Sequence, residues 1–173
     1  MTSPTRVGGR NGSGPSRRVK VGVGDLAIAD DDAVLTTSGL GSCVAVAVAD
    51  PTAGVRGLLH AMLPSADASE GGLRPAPRPA KYVDTGIDAL IDGLSDAGAS
   101  SGRLEARLVG GAEMLDLTAA VGPRNVERAE RALADAGITL VASDVGDGVG
   151  RTVRFRPDGT LAVRAADGFE RVL

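Results

Sequence analysis

Apolar and polar positions alternate with two different periods along this chain, and the switches between them mark out its elements. Val19, Val21 and Val23 alternate with Lys20 and Gly22, which predicts a strand. Short extended pieces at Leu26 to Ile28 and Val34 to Thr36 flank an acidic turn. Ser38-Gly39-Leu40-Gly41-Ser42 then leads through Cys43 into the apolar run Val44 to Val48. Asp50-Pro51-Thr52-Ala53-Gly54 predicts a turn, and Val55 to Met62 the returning strand. Pairing across that turn brings Cys43 and His60 to the same end of a sheet.

Leu63-Pro64 ends the hairpin. Residues 65–79 are mostly Ser, Ala, Gly, Pro and Arg with little to bury, so they are expected to form a flexible loop. Their position just after His60 makes them a candidate lid. The period then changes to that of a helix. Ile87, Leu90, Ile91 and Leu94 share one face, with Asp84 or Thr85 as N-cap and Gly98 as the stop. A second helix is predicted from Asn125 as N-cap, with Val126, Ala129, Leu133 and Ala136 on one face and Gly137 ending it. Glu127 and Arg131 are spaced for an i,i+4 ion pair on its surface. Strands are predicted at Leu104 to Val109, Thr139 to Val145, Arg151 to Phe155 and Thr160 to Arg164. Residues 1–18 offer almost nothing to a core and read as a disordered basic arm carrying Arg6, Arg10, Arg17 and Arg18. The expected fold is one α/β domain over residues 19–173, with mixed β-sheets and two main helices.

Composition narrows the function classes. The chain has 173 residues, enough for one full core, but aromatics make up only 2% and Trp is absent. The core must therefore be built from Val, Leu, Ile and Ala. A formal charge of −3 gives no warrant for nucleic-acid binding. No apolar run approaches the roughly 20 residues needed to span a bilayer, and Asp25, Asp30, Asp31 and Asp32 interrupt any export signal after Arg17-Arg18. One cysteine forms no internal disulfide, which suits a reducing compartment, so a soluble cytoplasmic protein is expected.

With one cysteine and one histidine, a zinc site has too few ligands. Asp144 to Gly150 lacks carboxylates at the offsets of a calcium loop. Gly22-Val23-Gly24 is a dinucleotide fingerprint fragment with no helix after it, and Gly110-Gly111 reads as a turn. No cofactor is implied.

Cys43 and His60 remain. A lone cysteine entering an apolar strand is ordinarily a small buried hydrophobe, and a lone histidine is ordinarily structural. Two features favour chemistry. Gly39, Gly41 and Ser42 leave the main chain unencumbered, so backbone N–H groups at Ser42 and Cys43 can serve an oxyanion. His60 lies in Leu58-Leu59-His60-Ala61-Met62, where an unpaired ring would be costly to bury. The thiol is its natural partner, as a thiolate–imidazolium pair. Thr36, Thr37 or Ser38 could orient the ring, and spacing does not choose among them.

Read together, these residues resemble the chemoreceptor glutamine deamidase family (CheD). The resemblance is carried by Gly39-Leu40-Gly41-Ser42-Cys43-Val44, His60-Ala61-Met62-Leu63-Pro64, Lys81-Tyr82-Val83-Asp84, Gly110-Gly111-Ala112-Glu113-Met114, Arg124-Asn125-Val126, and Asp144-Val145-Gly146 leading to Gly150-Arg151. It spans nearly the whole globular part and leaves out the arm and the 65–79 loop. Glu113 and Pro123 depart from the family pattern, away from the catalytic positions. The resemblance implies an α/β cysteine-hydrolase fold shared with bacterial deamidating toxins and a Cys–His–Thr triad. In this chain the triad falls on Cys43, His60 and Thr37. It further implies deamidation of receptor glutamines to glutamate through a thioester, with ammonia released. The implied partners are chemoreceptor cytoplasmic helices as substrate and a CheC-type phosphatase of CheY-phosphate. Two other functions are compatible with the same residues: an adaptor module with deamidation secondary, and a thiol amidase acting on free glutamine.

Overall fold

A computed structural model describes residues 5–7, 17–66, 78–113 and 120–173. Its strands are β1 (Thr5–Val7), β2 (Arg18–Lys20), β3 (Asp25–Ala29), β4 (Val34–Leu40), β5 (Val44–Asp50) and β6 (Val55–Ala61) in the first part. Then follow α1 (Val83–Asp96), β7 (Glu105–Gly110), α2 (Val121–Asp135), β8 (Thr139–Val145), β9 (Arg151–Phe155), β10 (Leu161–Ala165) and β11 (Glu170–Val172). A six-stranded mixed sheet has the order β1-β3-β6-β5-β7-β8, and a five-stranded sheet the order β11-β10-β9-β4-β2. Among the described residues no helix is long and apolar enough to cross a membrane.

The layers follow from side-chain size along β5. Val44, Val46 and Val48 point to α1 and α2, where they meet Val83, Ile87, Leu90 and Leu133. Ala45, Ala47 and Ala49 point the other way and pack with Leu35, Val153, Phe155 and Leu161 of the second sheet. Successive strand residues face opposite sides, so the alternation of large and small side chains assigns one face to helices and the other to a closely packed sheet. Every residue of β5 and β6 is buried, because both faces are covered.

Several expectations shift. The alternation at Val19 to Val23 yields only the short β2, with Val21 buried and Val23 exposed. Within the stretch read as a disordered arm, Thr5–Val7 pairs parallel with β3. An open sheet edge recruits any extended backbone, whatever its side chains. The rest of the arm before Arg17, and residues 67–77 of the candidate lid, lie outside the described residues. At the loop's two ends, Ser65 Oγ donates to Asp84 at 2.8 Å and Arg78 donates to the Gly24 carbonyl at 3.0 Å.

Both helices begin before their expected caps. Tyr82 is the N-cap of α1, and Asp84 instead accepts from Ser65 and from the N–H of Thr85. Gly98 ends α1 with a positive φ of 103°, as its position suggests. α2 starts at Val121, so Asn125 lies inside the helix rather than at its cap. Pro123 is tolerated there because N–H groups of the first turn have no intrahelical acceptor. Glu127 and Arg131 do pair, at 3.1 Å, but both are well exposed and add little stability. The acidic run at 144–150 closes around the buried Arg151 guanidinium, which donates to the Gly146 carbonyl at 2.9 Å and pairs with Asp144 at 3.3 Å.

Candidate active site

Three strands from both sheets deliver the triad positions to one end of the inter-sheet space. His60 stands opposite Ala45 in the β5–β6 ladder, and its side chain shares the face of Leu58. Cys43 precedes Ala45 by two residues and packs against the same inter-sheet cluster, diagonal to His60. Thr37 enters from β4, where its ladder partner is Val153. The β4–β9 register slips between Thr37 and Leu40, where Gly39 adopts a φ of +71°. That bulge ends regular pairing just beyond Thr37 and turns the chain toward Cys43.

The hydrogen bonds determine which imidazole nitrogen carries the proton. Thr37 Oγ1 lies 2.7 Å from the Val21 carbonyl and 2.7 Å from His60 Nδ1. A carbonyl only accepts, so the single hydroxyl proton goes to Val21. The Thr37 oxygen must then accept from Nδ1–H. This leaves the neutral ring with its lone pair on Nε2, a buried atom with no hydrogen-bond partner among the described residues, the thiol included. Among the three hydroxyls left open by spacing, Thr37 is the one bonded to the ring. Replacing it with Val keeps the shape but orphans Nδ1–H and the Val21 carbonyl. The expected result is a kcat lower by about 10²-fold and a stability loss of about 1–3 kcal/mol. Thr37→Ser should recover most of both, measured by ammonia release and thermal unfolding.

Burial sets the charge state. His60 is fully buried and desolvation lowers its pKa to about 4. Cys43 is half-buried, and burial pushes its thiol up, partly offset by its own N–H directed at the sulfur. Both shifts disfavour ions and so run against the expected thiolate–imidazolium pair, favouring a neutral thiol and a neutral imidazole. Iodoacetamide at pH 7 should therefore alkylate Cys43 more slowly in the native protein than after denaturation. Native labelling faster than that of a free thiol at pH 6 would restore the charged pair.

The Cys43 segment is held by its carbonyls. Gly41 accepts from the Ala112 N–H and Cys43 from the Gly111 N–H, each at 2.8 Å. A Cβ at Gly110, whose φ is +110°, would collide with the Cys43 carbonyl. The Gly-Gly pair read as a turn thus also permits close approach to the Cys43 backbone. Ser42 is held by Asn125, whose Nδ2 donates to its carbonyl at 2.8 Å and to that of Met62 at 3.0 Å. Sequence reading missed this role. The available signal was spacing: Asn125, Ala129 and Leu133 fall four apart, which puts an amide on the apolar stripe of α2. Among the described residues no cluster of His, Cys, Asp and Glu could hold a metal ion.

A family model described as CheD chemotactic sensory transduction matches residues 62–165, beginning just after His60. A protein of Natronomonas pharaonis called probable chemoreceptor glutamine deamidase CheD is 42% identical over 166 residues, covering 93% of this chain and 96% of the relative. A Thermococcus kodakarensis protein of the same description is 48% identical over 139 residues, covering 78% and 84%. Among solved structures, the Bacillus licheniformis hypothetical protein YfiH overlaps 77% of this chain and 60% of its own, with a TM-score of 0.43 and 15% identity. That overlap is too loose to bear on function.

Proposed function

The chain belongs to the CheD family as a chemoreceptor glutamine deamidase of chemotaxis, and on that premise we propose that Cys43, His60 and Thr37 carry out the hydrolysis. The observation that carries this reading is the Thr37–His60 hydrogen bond, because it leaves Nε2 as an unprotonated base on the face that Cys43 shares. His60 Nε2 takes the Cys43 proton as sulfur attacks the glutamine carboxamide carbon. The oxygen becomes an anion held by backbone N–H groups at Ser42 and Cys43. His60 returns the proton to the leaving nitrogen, the C–N bond breaks, and ammonia departs from a thioester. Water then gives a proton to Nε2 and attacks the thioester. Collapse of the second intermediate releases glutamate, and His60 reprotonates the sulfur. Thr37 accepts from Nδ1–H throughout, which keeps the tautomer and stabilises the transient imidazolium.

The test is mass spectrometry of receptor cytoplasmic domains co-expressed with the enzyme. Selected glutamines should gain about 1 Da, and Cys43→Ala should prevent it. Free glutamine should not be turned over, because the binding energy used at the reacting centre comes from the surrounding receptor helix. The reaction belongs in the cytoplasm, where receptor signalling helices lie and the single thiol stays reduced. The family resemblance also supports a CheC-type phosphatase as a binding partner. Binding that survives Cys43→Ala while ammonia release stops would separate an adaptor role from catalysis.

A further inference from the structure

Asn125 is wholly buried in α2, on a face otherwise occupied by Ala129 and Leu133. An amide in such a setting costs stability unless hydrogen-bonded. Its oxygen has no partner among the described residues, so its polar role rests entirely on the two N–H donors. Both are used: one on the Ser42 carbonyl and one on the Met62 carbonyl. Those carbonyls flank the chemistry, the first in the peptide that leads into Cys43 and the second two residues beyond His60.

The geometry of that first peptide gives the clamp its meaning. The Ser42 carbonyl and the Cys43 N–H belong to one planar trans unit and point in opposite directions. Whatever holds the carbonyl also aims the N–H. The carbonyls of Gly41 and Cys43 are held by backbone donors, while the side-chain donor given to the Ser42 carbonyl is Asn125. Without the Asn125 donor, the Ser42–Cys43 peptide would be free to rotate about the bonds at Ser42 and Cys43 that flank it. A flip would present a carbonyl oxygen where an oxyanion donor is needed.

We infer that Asn125 is a positioning residue for the oxyanion site. Its amide locks the Ser42–Cys43 peptide with the Cys43 N–H on the side of the thiol, where the carboxamide oxygen becomes an anion, and through Met62 it ties the base strand to the same point. This deepens the reading of Cys43 as nucleophile and rests on it.

The test separates steps that form an oxyanion from one that does not. Deamidation of a receptor cytoplasmic fragment passes through tetrahedral intermediates, whereas alkylation by iodoacetamide is a direct displacement needing only the thiol and its base. In Asn125→Ala, kcat for deamidation should fall about 10²-fold, with KM and the alkylation rate within about threefold of wild type. Asn125→Asp keeps the shape, but its carboxylate faces two carbonyls and only the protonated form can donate. Its activity should fall as pH rises, in contrast to the wild type, whose base stays neutral across that range. Deamidation within threefold of wild type in both variants would overturn the inference. Parallel loss of alkylation and deamidation would also overturn it, because Asn125 would then support the thiol rather than the oxyanion site. Failure of both variants to fold would reduce the residue to a structural tie and would overturn it as well. Full deamidation by Cys43→Ala would overturn the nucleophile assignment itself, a result distinguishable from all of these.

Discussion

Cys43→Ala will lose at least about 10⁴-fold in ammonia release from receptor fragments while keeping its fold and melting temperature within a few degrees. The size of the effect follows from covalent catalysis. Without sulfur there is no thioester, and the remaining groups hold a carboxamide that water attacks poorly. The small structural effect follows from the site. Cys43 is half-buried at the mouth of β5, and the bonds that hold it run through backbone carbonyls rather than the thiol. Truncating a small side chain at such a position leaves little cavity. Mass spectrometry should show no glutamine-to-glutamate conversion. Conversion at the wild-type rate would exclude Cys43 as nucleophile. Cys43→Ser should be nearly as inactive, because a hydroxyl is far harder to ionise for a base whose pKa is about 4.

His60→Gln should abolish turnover to a similar degree, and it carries a second, opposite signature in stability. The imidazole is depressed from 6.5 to about 4 in the folded protein. Between those values the unfolded chain binds a proton that the native chain excludes, so stability is full above pH 6.5 and falls as pH drops toward 4. The loss attributable to this ring is about 2 kcal/mol by pH 5. Gln cannot titrate. Between pH 7 and pH 5 the variant should therefore lose less stability than the wild type, whatever its starting value. Carboxylates held low by their partners, Asp31 and Asp50 among them, contribute to acid unfolding in both proteins and cancel in the comparison. Equal pH dependence of the two urea midpoints would mean the ring is solvated and charged in the native state.

The two signatures together separate a catalytic histidine from a structural one. A structural ring would move stability without a specific loss of turnover. A solvated surface ring would move neither.

The residues most legible before folding were those whose chemistry is scarce. A single thiol and a single imidazole in strands joined by one turn share a sheet end by pairing rules alone, and β5 and β6 pair in that manner, Ala45 opposite His60. Thr37 was legible only as one of three hydroxyls, or through family resemblance. Its selection depends on a bulge that spacing does not encode and on the carbonyl of Val21, just past the end of β2. Asn125 was misplaced outright, because Asn is a strong N-cap residue and local propensity outranked its position on the apolar stripe. The edge strand Thr5–Val7 escaped for a related reason: the hydrogen-bonding partners that organise it lie more than twenty residues away in β3.

Hydrophobic period by itself determined most of the elements and the β5–β6 hairpin, and the scarcity of thiol and imidazole singled out Cys43 and His60 as the candidate pair. Those properties are local, set by side-chain alternation and by which atoms each residue carries. Tertiary structure alone decided which hydroxyl binds the imidazole, which ring nitrogen is left free, which charge state burial favours and which helix amide grips the peptide leading into Cys43. Each of those depends on groups from separate segments meeting within hydrogen-bond range in a space closed to water, and no single stretch of chain contains that information.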